Sequence, residues 1–137
     1  MKYCMFSYFT TNEANQALPE IIKKYETALA KKNIVAKLEQ ELQMSIAISN
    51  SLENYITIKQ KLNSAMVKFF EALETLENTG VSVKSIEEGL LDFPSKRFDE
   101  DVWLCWKYGE TEIKFWHEKD SGFMGRKPIE VSDESLI

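Results

Sequence analysis

The chain has 137 residues, enough for one domain that buries roughly two thirds of the surface exposed by its unfolded form. Hydrophobic residues at 44% and charged residues at 28% exclude wholesale disorder, and a net charge of −5 gives no general attraction to nucleic acid or anionic lipid. No window approaches the roughly 18 apolar residues of a membrane span, and the apolar stretch 1–9 is too short for a secretory signal.

The two cysteines, Cys4 and Cys105, lack C-x-x-C spacing and read as reduced thiols of a cytoplasmic protein. Thr10-Thr11-Asn12-Glu13 has the form of a capping box, in which a hydroxyl takes an orphan amide and Glu13 reaches back. A short helix is expected to follow and stop near Leu18, with Pro19 opening the next. From there apolar residues recur at helical spacing: Ile22, Tyr25, Leu29, Val35, Leu38, Leu42 and Ile46. A second series runs from Leu52 through Tyr55, Ile56, Leu62, Met66, Phe69 and Leu73 to Leu76. Between the two, Ser49-Asn50-Ser51 is the only polar turn-like cluster, and Asn50 with Glu53 suits a helix start. Two helices of about 28 residues, each ~40 Å long, are therefore expected to form an antiparallel hairpin. One unbroken helix in an intermolecular coiled coil is the rival, disfavoured because its stripe is exposed unless it oligomerises. Gly80 suits the left-handed end of the second helix. The segment from Glu71 to Asp101 holds nine acids against three bases, which serves solubility or attracts a basic partner.

Gly89 to Phe93 predicts a short strand that Pro94 ends. Asp101 to Lys107 and Glu112 to Glu118 predict two more, joined by a turn at Tyr108-Gly109-Glu110-Thr111. If Lys107 faces Glu112, then Trp106 faces Ile113, Leu104 faces Phe115 and Val102 faces His117 on one apolar face. The other face then sets Trp103 opposite Trp116 and Cys105 opposite Lys114. Each indole buries 150–250 Å², about 4–6 kcal/mol, so that pair needs a cover. The Gly122-Phe123-Met124-Gly125-Arg126 loop is one candidate, with Arg126 stacked on an indole, and a second molecule is the other. Trp103, Trp116 and Phe123 are thus the candidate interaction surface.

His117 is the only histidine, and no second imidazole exists to complete a zinc site, so neither a metal nor a cofactor is expected. On the apolar face it reads as a core histidine bonded to a helix residue. A ligand or anion site is the competing use, with His117 as acid or base, Glu110 or Glu118 orienting it, and Arg126 clamping a phosphate or carboxylate. The Gly122-x-x-Gly125 pair permits backbone amides to approach an anion, but a tight structural turn is the commoner use.

Several runs carry a family likeness: Gly80-Val81 to Asp92-Phe93-Pro94, Leu104-Cys105-Trp106-Lys107 with Gly109-Glu110, Trp116-His117-Glu118, and Gly122-Phe123 with Gly125-Arg126 and Pro128. With Tyr8-Phe9-Thr10, Glu13-Ala14-Asn15 and Leu18-Pro19, the stretch from Tyr8 to Ile129 resembles the prokaryotic family catalogued as domain of unknown function 2203. The resemblance singles out Phe93, Trp106, Gly109, Glu110, Trp116, His117, Gly125 and Arg126, and implies no activity or cofactor.

The expected architecture is an α+β domain over residues 1–129. A long antiparallel helical hairpin (11–79) packs with a small antiparallel sheet of two to three strands (80–129), and 130–137 form a mobile tail. Function reads first as a non-enzymatic module that self-associates as a homodimer or meets a protein partner, without nucleic acid or membrane. The alternative is a small-ligand or anion-binding protein, or an enzyme, with its site between sheet and helices near His117 and Arg126.

Overall fold

The computed structural model describes residues 8–49 and 51–130. Expectations on Cys4, on most of segment 1–9, on the Asn50 cap and on 131–137 lie outside those residues. Helix α1 spans Thr11–Met44, a π-helical turn follows at Ser45–Ser49, and α2 spans Leu52–Glu77. Five strands then form one antiparallel sheet in sequence order: β1 Ser82–Ser85, β2 Leu90–Arg97, β3 Glu100–Lys107, β4 Phe115–Glu118 and β5 Lys127–Pro128. The α+β class and the hairpin hold, while the strands among the described residues number five rather than two to three. Among the described residues no helix is long and apolar enough to cross a membrane.

The capping box forms as expected, with Thr10 Oγ1 accepting from Glu13 N and Glu13 Oε1 accepting from Thr10 N, both at 3.0 Å. The helix it starts does not stop at Leu18. Pro19 is exposed inside α1, and buried Ala14, Leu18, Ile21, Tyr25 and Ala28 keep one stripe running past it. Packing that stripe on the sheet offsets the roughly 3 kcal/mol of a mid-helix proline. Ser51 caps α2 by accepting from Asn54 N, and Asn54 Nδ2 donates to Ser45 Oγ at 2.8 Å, tying the two helices at the bend. Gly80 closes the other end with φ of 104°.

The core lies between the hairpin base and one sheet face: Leu18, Tyr25 and Leu76 meet Leu91, Phe93, Leu104, Trp106 and Trp116. Beyond Leu29, α1 carries no residue of that cluster or packed against it. Ile58, Leu62 and Ala65 of α2 are buried there outside the sheet's core cluster.

Strand β2 runs through Pro94 instead of ending before it. The Phe9 N–H donates to the Pro94 carbonyl at 2.8 Å, on the side of β2 away from β3. In a strand the N and C=O of one residue point the same way, so the ring nitrogen faces that side too and interrupts no β2–β3 hydrogen bond. Arg97 pairs with Glu100 across a two-residue turn in which Phe98 and Asp99 both have positive φ, 51° and 66°. This is the mirror-image turn that matches strand twist, built without its usual glycine.

The β3–β4 register is one residue away from the expected one. Val102 faces Glu118, Trp103 faces His117, Leu104 faces Trp116 and Cys105 faces Phe115. A slip of one residue exchanges faces. Trp116 therefore joins the core against the helices, and His117 leaves it, so no Trp103–Trp116 pair exists. The cause is the connection, which is a seven-residue loop rather than a four-residue turn. Lys107 N donates to Glu110 Oε1 at 2.8 Å, Trp106 Nε1 donates to the Glu110 carbonyl at 2.9 Å, and Ile113 N donates to Asn15 Oδ1 on α1 at 2.6 Å. Ile113 is buried from the loop, free of strand alternation.

Candidate functional site

The sheet face turned away from the helices is not a simple solvated surface. Alternation places Leu90 and Asp92 of β2, Trp103, Cys105 and Lys107 of β3, and Phe115 and His117 of β4 on it. Asp92 sits directly opposite Cys105, and Trp103 opposite His117. The irregularity between Val83 and Ser85 in β1 accompanies Lys84, whose Nζ lies 4.2 Å from the centre of the Trp103 ring.

Three polar side chains converge at the centre. His117 Nε2 lies 3.0 Å from Asp92 Oδ2, with the two side chains only 2% and 5% exposed. Cys105 stands opposite Asp92 across the strand pair, and the ligand atoms of all three residues lie within 4.8 Å of one another. His117 Nδ1 lies 2.9 Å from the backbone carbonyl of Glu118. Burial raises the Asp92 carboxyl above its ordinary range, against the pull of His117 and Lys84. Burial and the adjacent Asp92 push the Cys105 thiol up to about 11, against the pull of Arg126. A neutral thiol of this kind is a poor nucleophile at neutral pH. The two imidazole nitrogens face the Glu118 carbonyl and Asp92 rather than the thiol, whereas a nucleophile relay needs the imidazole between thiol and carboxylate.

A cleft of about 220 Å³ opens above the cluster, walled by Trp103 and Phe123 and rimmed by Lys84 and Lys119. The loop after β4 forms its far wall through the 3₁₀ turn Phe123–Gly125. Arg126 holds that loop: its guanidinium makes a two-point pair with Glu110 (2.6 and 3.3 Å), lies 4.0 and 4.4 Å from the Phe115 and Phe123 ring centres, and approaches Cys105 Sγ to 3.9 Å. The amides of Gly125 and Arg126 donate within the turn, to Gly122 and Phe123 carbonyls. This is the structural use of the two glycines.

The expected site residues thus separate. His117 lies at the cleft floor, Trp103 and Phe123 in its walls, and Arg126 and Glu110 behind it as a mutually neutralised pair. Arg126 stacks on phenyl rings and not on an indole. Glu118 points elsewhere, paired with Lys127, which holds its carboxyl below the ordinary range, and only its carbonyl serves His117. Trp116 faces the helices, with Arg97 and Lys127 over its ring. The partner of His117 is Asp92 of β2, not a helix residue, and the pocket lies across the sheet from the helices, not between them. Asp92 and Cys105 were not singled out as site residues from the sequence. Their one signal was a carboxylate inside the apolar run Leu90-Leu91-Asp92-Phe93.

Comparison with curated proteins and with solved structures gives no match. The family model described as an uncharacterized conserved protein (DUF2203) matches residues 7–129, which takes in both helices, all five strands and every residue of the cleft. The chain belongs to the DUF2203 family.

Proposed function

We propose that this chain is a small-ligand-binding protein whose site is the cleft on the outer face of the sheet, with an anionic ligand seated between Lys84 and Lys119. The observation that supports it is the convergence of Asp92, Cys105 and His117, all buried, at the floor of an open cleft. Burying three polar side chains together, away from the hydrophobic core, costs stability that packing alone does not require. Trp103 gives a flat apolar wall beside the two lysines, the combination that holds a ligand with an apolar body and a charged end. A cytoplasmic setting in a prokaryote belongs to the same reading, supported by the unpaired Cys105 thiol and the family likeness. Backbone NMR of the metal-free chain titrated with inorganic phosphate, a dicarboxylate and a nucleotide tests it. Shifts are expected at Lys84, Lys119, His117 and the Trp103 indole N–H. Silence there with all three probes overturns it.

Self-association as a homodimer is the second reading, supported by the hairpin tip. Met44, Ile46, Ile48 and Leu52 are all more than half exposed, and no charged residue occurs from Met44 to Leu52. Two copies meeting there face no like-charge repulsion, and two-fold symmetry closes the contact. Sedimentation at micromolar concentration decides it, a monomer counting against.

A further inference from the structure

We infer that Asp92, Cys105 and His117 form a three-ligand site for a divalent transition-metal ion of the zinc class, with its fourth position open to the cleft. The inference rests on reading that cleft as the functional site.

The ligand set comes from three neighbouring strands, one residue each, so the sheet itself fixes the geometry. Zinc binds carboxylate oxygen and imidazole nitrogen at about 2.0–2.2 Å and thiolate sulfur at about 2.3 Å, which puts donors roughly 3.3–3.7 Å apart around a tetrahedral ion. The observed set, 3.0 Å for the closest pair and 4.8 Å at most, brackets that spacing.

The imidazole supplies a second, independent argument. Its Nδ1 faces a carbonyl oxygen, which only accepts, so the Nδ1 proton belongs in that bond. Its Nε2 then turns a lone pair toward the carboxylate oxygen of Asp92, another acceptor. Two acceptors at 3.0 Å need a hydrogen between them. A metal ion takes its place naturally, because ligating histidines commonly donate their other N–H to a backbone carbonyl or carboxylate, as Nδ1 does here.

Ion entry displaces to solvent the protons that the ligands carry, leaving a carboxylate, a thiolate and a neutral imidazole as donors. The carboxylate and thiolate then balance the dication. Because the described residues offer no fourth side-chain donor in the cluster, the open position faces the cleft, as in catalytic rather than structural zinc sites. An anionic ligand drawn in by Lys84 and Lys119 would reach that position directly.

The test is titration of the metal-free full chain with Co²⁺, read by its thiolate-to-metal absorption, and with Zn²⁺ against a chromophoric chelator. One ion per chain is expected, with the thiolate band lost in Cys105→Ser and retained in Cys4→Ser. His117→Gln and Asp92→Asn are expected to weaken Zn²⁺ binding by at least about 100-fold. Circular dichroism and melting of each metal-free variant separate loss of ligand from loss of fold. A chain that binds no Co²⁺, or whose thiolate band survives Cys105→Ser, overturns the inference. If phosphate or another probe shifts the cleft resonances while no metal binds, the inference fails and the ligand-site reading stands. If Co²⁺ binds at Cys105 but none of the probes shifts the cleft resonances or the cobalt spectrum, the reading fails and the metal site stands.

Discussion

Tyr25 sits where helix α1 meets the sheet, its hydroxyl donating to the Ile86 carbonyl at 2.6 Å and its ring 5.7 Å from that of Trp106. Tyr25→Phe removes only the hydroxyl and leaves a buried acceptor unpaired, so a loss of about 1–2 kcal/mol is expected in urea unfolding. Burial raises the Tyr25 phenol above its ordinary 10.0, helped by Tyr108 and Glu87. The folded chain therefore holds this proton more tightly than the unfolded chain. Its contribution is complete below pH 10 and is lost as the pH rises through the raised value. Urea midpoints should fall with pH above 10, and fall less steeply in the Phe variant. Two glycines separate backbone strain from crowding. Gly89 (φ 72°) and Gly109 (φ 104°) both lie in the left-handed region, but a Cβ at Gly89 meets Tyr108 Cβ at 2.5 Å, whereas one at Gly109 meets nothing. Gly109→Ala is expected to cost about 1 kcal/mol of strain and Gly89→Ala clearly more, as measured by thermal melting. Such positions were only partly legible in the sequence, because glycine signals a turn but not what stands beside it.

Among the elements, the helices were legible and the edges of the strands were not. The capping box, the apolar repeats and Gly80 are local signals, and each appears where the chain predicts it. Pro19 and Pro94 misled because their cost depends on what surrounds them: a buried stripe carries α1 past the first, and an unobstructed side of β2 accepts the second. The β3–β4 register failed because a count of turn residues cannot anticipate that Glu110 caps β3 or that Asn15 of a distant helix anchors Ile113. One optical experiment reads that register. With Trp106 and Trp116 buried in the core and Trp103 half-buried in the cleft wall, iodide should quench one indole only. Trp103→Phe should remove the quenchable emission. Trp116→Phe should leave it, whereas quenching that falls in both variants and vanishes in neither would restore the register expected from the sequence, which sets the two indoles on one face.

At the scale of the whole molecule, the hairpin extends beyond what the sheet covers: α1 is about 50 Å long by its 34 residues, yet its core residues end at Ala28. Ile48, 74% exposed at the tip, contributes little to the monomer, so Ile48→Glu should change its unfolding energy by no more than about 0.5 kcal/mol. If the tip joins two copies, the same change should convert a sedimenting dimer to monomer, because a buried, unpaired carboxylate opposes association. The sequence by itself determined the α+β class, the helical hairpin with the Thr10 capping box at its start, and the apolar face of β3, all set by residues within a few positions of one another. The candidate site was decided by tertiary structure alone. Asp92, Cys105 and His117 lie on three strands, and only the strand pairings, fixed in part by a helix side chain and a salt-bridged loop, carry His117 out of the core and set it beside the other two.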